Sequence, residues 1–350
     1  MSTLEMTREI TTAKALTGES GPQSATCPIC SGGQVHELLV APDRFHLRKQ
    51  MYRLLRCPSC SGVWLASPPR PLEMWQHYTE DYHKAIVTAG EGAAAIRWKP
   101  QVKLISQHKS GGAILDIGCS SGGFLSTMKS PAWKLYGIEM EESTAERARA
   151  TTGAEVFVGD AVAAPFAPAS FDVITCFDVL EHVYSPRQFL TKVREWLKPG
   201  GIFYSMMPNI DSWEARLFGT HWFGLELPRH LSHFSPRSLR YLMNELGFEE
   251  VCVKTPPVSY MERSANYVCS SVLEQMGYTP TPQAKPKEPS LSRRLVRKGL
   301  RVGLVAPLAQ VASLAGAGPC MEAVFSKPAD ASDGSPADAK SAVTKEAKNQ

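Results

Sequence analysis

The stretch Ile114-Leu-Asp-Ile-Gly-Cys-Ser-Ser-Gly-Gly-Phe124 limits what this chain can become more than any other. An apolar run of strand type ends at Gly118, small residues fill 119–123, and Phe124 to Lys129 reads as a helix start. Glycine lets the backbone turn sharply and lets a ligand approach the main chain. The helix start beyond it offers N–H groups without intrahelical partners, which suit an anionic group. A nicotinamide dinucleotide loop calls for G-x-G-x-x-G. Ser120 stands where that pattern needs its second glycine.

The flanking sequence repeats the alternation of strand and helix. Strands are predicted at 113–118, 134–139, 155–158, 171–176, 202–207 and 248–254, with helices at 93–108, 142–150, 186–197 and 235–246. Ser235 and Pro236 form a cap signal and Gly247 a stop. Such alternation implies an α/β fold with a mainly parallel, doubly wound sheet. Ligands bind these sheets at the carboxyl ends of the strands. Glu139 closes the second strand, 21 residues after Gly118. A carboxylate there can accept hydrogen bonds from both hydroxyls of a ribose.

Leu115, Asp116, Gly118, Gly122 and Gly123 together resemble motif I of the class I S-adenosylmethionine (SAM)-dependent methyltransferases. The resemblance implies a Rossmann-like core with a seven-stranded sheet and SAM as cofactor. It implies that Asp116, Gly118, Cys119, Ser120, Gly122 and Gly123, with Phe124 opening the helix, hold the methionine part. Asp160, beside Ala161, would meet the adenine amino group. Phe177 and Asp178 would line the adenine and methionine pocket. Asp178-Val-Leu-Glu181-His182 resembles the subgroup that contains ubiquinone-biosynthesis O-methyltransferases, in which Glu181 and His182 would face the acceptor. In this family a seventh strand pairs antiparallel with the sixth. Here its match is Pro319 to Ser326, after an insertion at about 255–318.

Upstream, Cys27-Pro-Ile-Cys30 and Cys57-Pro-Ser-Cys60 are two C-x-x-C pairs with 26 residues between them. That spacing predicts a zinc ribbon at 25–68, with Zn2+ held by four thiolates. A closed site of this kind is structural, because it leaves no coordination position for chemistry. A connector at 69–110 follows, with a helix that would put Tyr78 and Tyr82 on one face. A zinc ribbon followed by a Tyr-x-x-x-Tyr helix is similar to a bacterial methyltransferase subgroup associated with polysaccharide and secondary-metabolite pathways.

The loop after the fifth strand shapes the acceptor pocket in the resembled family. Here it carries Trp213, His221, Trp222, Phe223, Arg229, His230, His233 and Phe234. Its Pro-x-His-Leu-x-His-Phe pattern also resembles the subgroup. His230 and His233 are candidate catalytic bases, because imidazole titrates near working pH. Arg229 is a candidate for an acceptor phosphate or carboxylate. Small-molecule or glycan-type acceptors are expected. The basic residues Arg44, Arg48, Lys49, Arg53, Arg56 and Arg70 of the 25–70 stretch keep an RNA methyltransferase open as an alternative, with a non-catalytic scaffold as another.

The formal charge of +4 over 350 residues shows no whole-chain nucleic-acid footprint. Residues 1–26 hold no apolar signal region, and nine cysteines without an export signal suggest reduced thiols, so a cytoplasmic protein is expected. A basic, then apolar, helical stretch at 291–315 can either pack on the core or lie on an anionic membrane. Residues 1–24 and 329–350 read as disordered tails.

Overall fold

The structure, a computed structural model, describes residues 26–46, 48–79, 91–278 and 299–329. The predicted N-terminal tail, nearly all of the C-terminal one, Tyr82, and residues 291–298 of the basic stretch lie outside the described residues.

Two sheets carry the fold. The first uses β1 (His36–Asp43), β2 (Arg48–Arg56) and β3 (Val63–Leu65). The second uses β4 (Gly112–Ile117), β5 (Trp133–Glu139), β6 (Glu155–Val158), β7 (Phe171–Phe177) and β8 (Leu197–Pro208). It also takes β10 (Glu249–Lys254) and β11 (Cys320–Ser326). Its order is β10-β11-β8-β7-β4-β5-β6. Neighbours from β8 to β6 run parallel, and β11 is antiparallel to both β8 and β10. The Rossmann-like core with its mainly parallel seven-stranded sheet is therefore present, with the displaced seventh strand in its expected slot. Ile114, Leu115, Val173, Ile174 and Cys176 are fully buried, the continuous apolar run that a parallel sheet covered on both faces requires.

The flanking helices follow their sequence signals. Pro186–Trp196 buries Phe189, Leu190, Val193 and Trp196 on one face. Pro236–Glu245 begins with the Ser235 hydroxyl accepting from Ser238 N, and Gly247 ends it at φ +72°. The connector differs from its prediction. A helical turn at Pro71–Met74 runs into a single 3-10 turn, Trp75–His77, and Tyr78 leaves helical geometry at φ −106°, ψ 75°. Tyr78 cannot present a helical face, because its hydroxyl reaches 3.2 Å from His182 Nδ1 instead.

The ribbon is joined to the core by β9 (Ser232–His233), which comes from the loop after β8. β9 pairs antiparallel with β3, His233 opposite Val63 and Ser232 opposite Trp64. One residue on, Phe234 bridges to Asn209 at the end of β8. Cys27, Ile29, Leu55, Cys57, Cys60 and Trp64 share one continuous apolar core with Leu115, Ile117, Phe234 and Leu239. The insertion contributes the helices Met261–Gln275 and Ala306–Leu314. Among the described residues no helix is long and apolar enough to cross a membrane.

Candidate functional site

The glycine-rich turn lies between β4 and the helix Gly123–Met128, at the carboxyl edge of the main sheet. Gly118 has φ +75°, and a Cβ there would sit 2.4 Å from Val179 Cγ2. Gly122, at φ +83°, lets the turn lie against Ala148 and Thr152 of the next helix. Both positions need glycine for conformation and for space.

Asp116 is 4% exposed and accepts a 2.7 Å hydrogen bond from the Thr175 hydroxyl. Burial raises its carboxyl to about 7, so a cationic neighbour would draw it into its charged form. Glu139 accepts from Ser120 N at 2.9 Å with one oxygen and from Met140 N at 2.8 Å with the other. Glu141 N donates to the same oxygen as Met140 N, at 3.2 Å, so the carboxylate is pinned beside the turn with acceptor capacity left for a hydroxyl. Asp160 accepts from Val162 N at 2.7 Å, which sets the short 3-10 turn Ala161–Ala163 after β6. Phe177 closes β7, and Asp178 follows it at φ +56°, a left-handed conformation rare outside glycine and frequent at functional sites. Asp178 is open to the cleft, yet the surrounding protein raises its carboxyl to about 6 against the pull of Arg97.

The candidate cofactor residues thus follow the carboxyl ends of β4, β5, β6 and β7, on the side of the sheet where the strand order switches between β4 and β7. The donor set fits SAM: carboxylates for its ribose and its positive charges, and a bare main-chain turn for its methionine carboxylate. An aromatic wall that the sequence reading left out stands over the turn. Trp98 stacks on Phe177 with centroids 5.1 Å apart and meets Phe124 edge-on, while Arg97 lies over the Trp98 ring. No sequence signal marks Trp98, because the helix Glu91–His108 that carries it has only weak amphipathic patterning.

On the acceptor side the structure gathers residues from four distant segments. His182 Nδ1 lies 3.0 Å from Arg229 O, and His230 Nδ1 lies 2.9 Å from Gly224 O. A carbonyl can only accept, so each Nδ1 carries the proton and each Nε2 keeps its lone pair. A carboxylate oxygen of Glu181 and one ring nitrogen each of His182 and His230 lie within 4.8 Å of one another. Glu181 Oε2 is buried without a hydrogen-bond partner. Burial, aided by the charge of Asp178, holds Glu181 towards its protonated form. Burial also holds His182 and His230 neutral, His230 well below its ordinary range. The two neutral imidazoles can accept a proton, and the donor set of the cluster has the composition of a divalent-cation site as well.

His233 is differently placed. Its Nε2 lies 3.0 Å from Leu225 O, its ring is 6.0 Å from that of His230, and burial pulls it down to about 4. Arg229 is fully buried, with Nε on Glu226 Oε1 at 3.1 Å, Nη1 on His77 O at 3.2 Å, and its guanidinium over Phe45. It ties the loop to the ribbon and does not face an acceptor. Asp43, His46 and His77 also cluster at ligand spacing. Arg48 Nη1 lies 3.1 Å from His77 Nδ1 and Arg229 Nη1 lies 3.2 Å from His46 Nδ1. Two fixed cations beside these imidazoles make the group an ion-pair strut. Tyr260, at the head of the insertion's first helix, stands beside Cys320 with Asp178 and Glu181 in electrostatic reach.

The four ribbon thiols converge. Cys27 Sγ lies 3.6 Å from Cys60 Sγ, and Cys30 Sγ 3.5 Å from Cys57 Sγ. Zinc–sulfur bonds of about 2.3 Å set tetrahedral sulfurs roughly 3.8 Å apart, so the cluster has zinc dimensions. The two knuckles are built alike, with Ser31 N donating to Cys27 O and Ser61 N to Cys57 O. Gly62 N also donates to Cys60 Sγ, a contact that favours thiolate.

Residues 93–253 match the family model described as a methyltransferase domain. Among curated proteins the chain is similar to the ubiquinone biosynthesis O-methyltransferase of Idiomarina loihiensis, 27% identical over 155 residues, 41% of this chain and 64% of that one. The Burkholderia pseudomallei protein of the same name is 28% identical over 160 residues, 42% and 68% of the two chains. That of Stutzerimonas stutzeri is 32% identical over 145 residues, 38% and 62%. The chain therefore spans about two thirds of the length of these relatives. Among solved structures it is similar to a Thermotoga maritima SAM-dependent methyltransferase described as a possible histamine N-methyltransferase. The identity is 19%, 73% of this chain and 99% of that chain are covered, and the TM-score is 0.45.

Proposed function

We propose that this chain, whose residues 93–253 match a methyltransferase domain, is a class I SAM-dependent methyltransferase that transfers a methyl group to an oxygen of a small-molecule or sugar-containing acceptor. The observation that carries the choice of oxygen is the Glu181–His182–His230 cluster. A hydroxyl must lose its proton on methylation, whereas an amine needs only to be neutral. The curated relatives named as O-methyltransferases point the same way.

SAM, when bound, supplies a methyl group on a sulfonium that an in-line nucleophile can take. Gly118 to Gly123, Glu139 and Asp160 hold and orient it, and Trp98 with Phe177 excludes water above the turn. Holding the nucleophile about 3 Å from the methyl carbon supplies much of the rate. His230 and His182 receive the hydroxyl proton at a ring nitrogen whose partner nitrogen is already fixed on a carbonyl. His233 holds the loop through Leu225 O. Tyr260 and Tyr78 frame the acceptor space. The four thiolates would hold a structural zinc and so fix β3, against which β9 and His230's loop are set. A reducing compartment such as the cytoplasm suits these thiols.

An RNA acceptor fits less well, because three of the ribbon's five named cations are engaged within the protein. Arg44 donates to Thr220 O and Ser271, Arg48 to Gln76 O, and Arg56 pairs with Asp211.

The test is turnover on phenol and sugar-nucleotide panels by His230→Ala and the double variant His230→Ala/His233→Ala, beside calorimetric titration with S-adenosylhomocysteine. The expected result is a loss of kcat by roughly 10²- to 10⁴-fold with product-analogue affinity retained. Unchanged turnover in the double variant would remove the base assignment. Failure of wild-type protein to bind the analogue would remove the methyltransferase reading itself.

A further inference from the structure

We infer that the outer face of residues 299–314 docks on an anionic membrane surface, lying along it without crossing it. This inference does not depend on the identity of the acceptor.

The helix Ala306–Leu314 is turned inside out for a water-facing element. Its inner face is made of small side chains, with Ala309 and Ala312 buried. That face is fastened by Ser313 Oγ donating to Thr255 O and Thr255 Oγ1 donating to Ser313 O. The large apolar residues point outward. Leu300, Val302, Leu304, Leu308, Val311 and Leu314 are all between 41% and 80% exposed. From Leu304 they recur at 308, 311 and 314, one stripe at helical spacing. A surface helix of a water-soluble domain normally has the opposite arrangement. A contiguous exposed apolar stripe marks an interaction surface.

Charge selects the partner. From Pro289 to Met321 the sequence contains no acidic residue, and it contains Arg293, Arg294, Arg297, Lys298 and Arg301. Two copies of this chain meeting through the stripe would bring two such basic runs together, which repels. Anionic lipid complements them, and the apolar stripe can enter the boundary between headgroups and acyl chains. Among the described residues no helix can span the bilayer, so the contact is peripheral. The segment also sits close to the chemistry. It leads into Gly318, whose carbonyl accepts from Asn209 Nδ2 at the foot of β8, and into Cys320, beside Tyr260. A docked segment would set the acceptor side of the cleft towards the lipid.

The experiment is flotation of the full zinc-loaded chain with vesicles of phosphatidylcholine alone and with about one third phosphatidylglycerol. Two variants accompany it: Leu304→Ser/Leu308→Ser/Val311→Ser, and Arg293→Gln/Arg294→Gln/Arg297→Gln/Lys298→Gln. Thermal melting and titration with S-adenosylhomocysteine confirm that each variant is folded. The expected result is binding to the anionic vesicles only, weakened by salt. Each variant should lower the bound fraction by roughly fivefold or more. The inference is overturned by absence of flotation at low salt, by equal binding to neutral vesicles, or by full binding of the folded serine variant. A dimer in solution that the serine substitutions dissolve would assign the stripe to a second copy and overturn it too. Should the serine variant misfold, the glutamine variant still decides, because its substitutions precede the helix: full vesicle binding without those charges would be fatal.

Discussion

The two halves of the cleft are built on opposite plans. The proposed cofactor half comes from consecutive pieces of one sheet, from Asp116 to Asp178, each at the end of the strand that precedes it. The proposed acceptor half is gathered from Tyr78, from Glu181 and His182, from the loop at 222–234 and from Tyr260, and is braced by a ribbon that begins at Cys27. One half is fixed by main-chain geometry of local origin. The other depends on contacts between residues far apart in sequence, such as Arg44 with Thr220 O and Arg229 with His77 O. Damage to the second half should therefore spread, and damage to the first should stay local.

Removal of zinc, by chelation or by Cys57→Ser, tests this most severely. Structural zinc in small metal-dependent folds contributes on the order of 10 kcal/mol. We expect the ribbon, β9 and the acceptor loop to become protease-sensitive together, abolishing turnover. The glycine-rich turn and Glu139 should still bind S-adenosylhomocysteine. Parallel loss of both by calorimetry and limited proteolysis would break the comparison, and the shared core around Cys57 and Phe234 would be the reason.

Glu139→Ala is the matching blow to the other half. A charge-assisted hydrogen bond to a ribose hydroxyl is worth roughly 1.5–3 kcal/mol. Affinity for the product analogue should fall at least tenfold, while melting temperature and the protease pattern stay close to wild type.

The pH dependence of turnover sharpens the comparison further. His230 and His182 lie below the ordinary imidazole range because burial disfavours their charged forms. A depressed imidazole is neutral, and so able to take a proton, at every pH above its lowered value. The acid limb of kcat should accordingly fall below pH 6.5, with a plateau from there through neutrality. A limb centred at or above 6.5 would mean that a different group takes the proton. Adding a divalent cation to chelator-treated, zinc-restored protein would reveal any role of the cluster as a cation site by a shift of that limb.

The smallest expected effect belongs to Arg56→Ala. Its pair with Asp211 links ribbon and loop, yet both side chains are partly exposed, at 26% and 32%. Such a pair contributes under about 1 kcal/mol, so a melting shift of a few degrees at most and a modest rise in acceptor KM should follow.

The same contrast explains what could be read from sequence. The strands, the glycine turn and the four cysteines announce themselves through local spacing, and Ser235-Pro236 announces a helix cap. β9 does not. Two residues of strand have no periodicity, and Ser232-His233 looks like any loop. Arg229 was legible as a functional-looking residue, but its engagement with His77 O and Glu226 belongs to tertiary packing. Tyr78 reads as helix in the sequence, and its backbone leaves helical geometry where its hydroxyl meets His182, a contact no local pattern announces. Trp98 carries no motif, and only the stacked contact with Phe177 gives it meaning. His230 and His233 look equivalent in sequence, and their separate roles follow from which carbonyl each ring meets.

The pairing of β3 with β9 also sets a timetable for synthesis. Val63 leaves the ribosome about 170 residues before its partner His233. At roughly 5–20 residues per second that is an interval on the order of ten to thirty seconds. Through that interval the ribbon has its thiols and its hairpin but lacks the strand that covers its edge. Early metal capture would hold the nascent hairpin in register while the chain lengthens. In cells starved of zinc, the first casualty would then be the yield of correctly assembled protein, decided before any molecule meets a substrate.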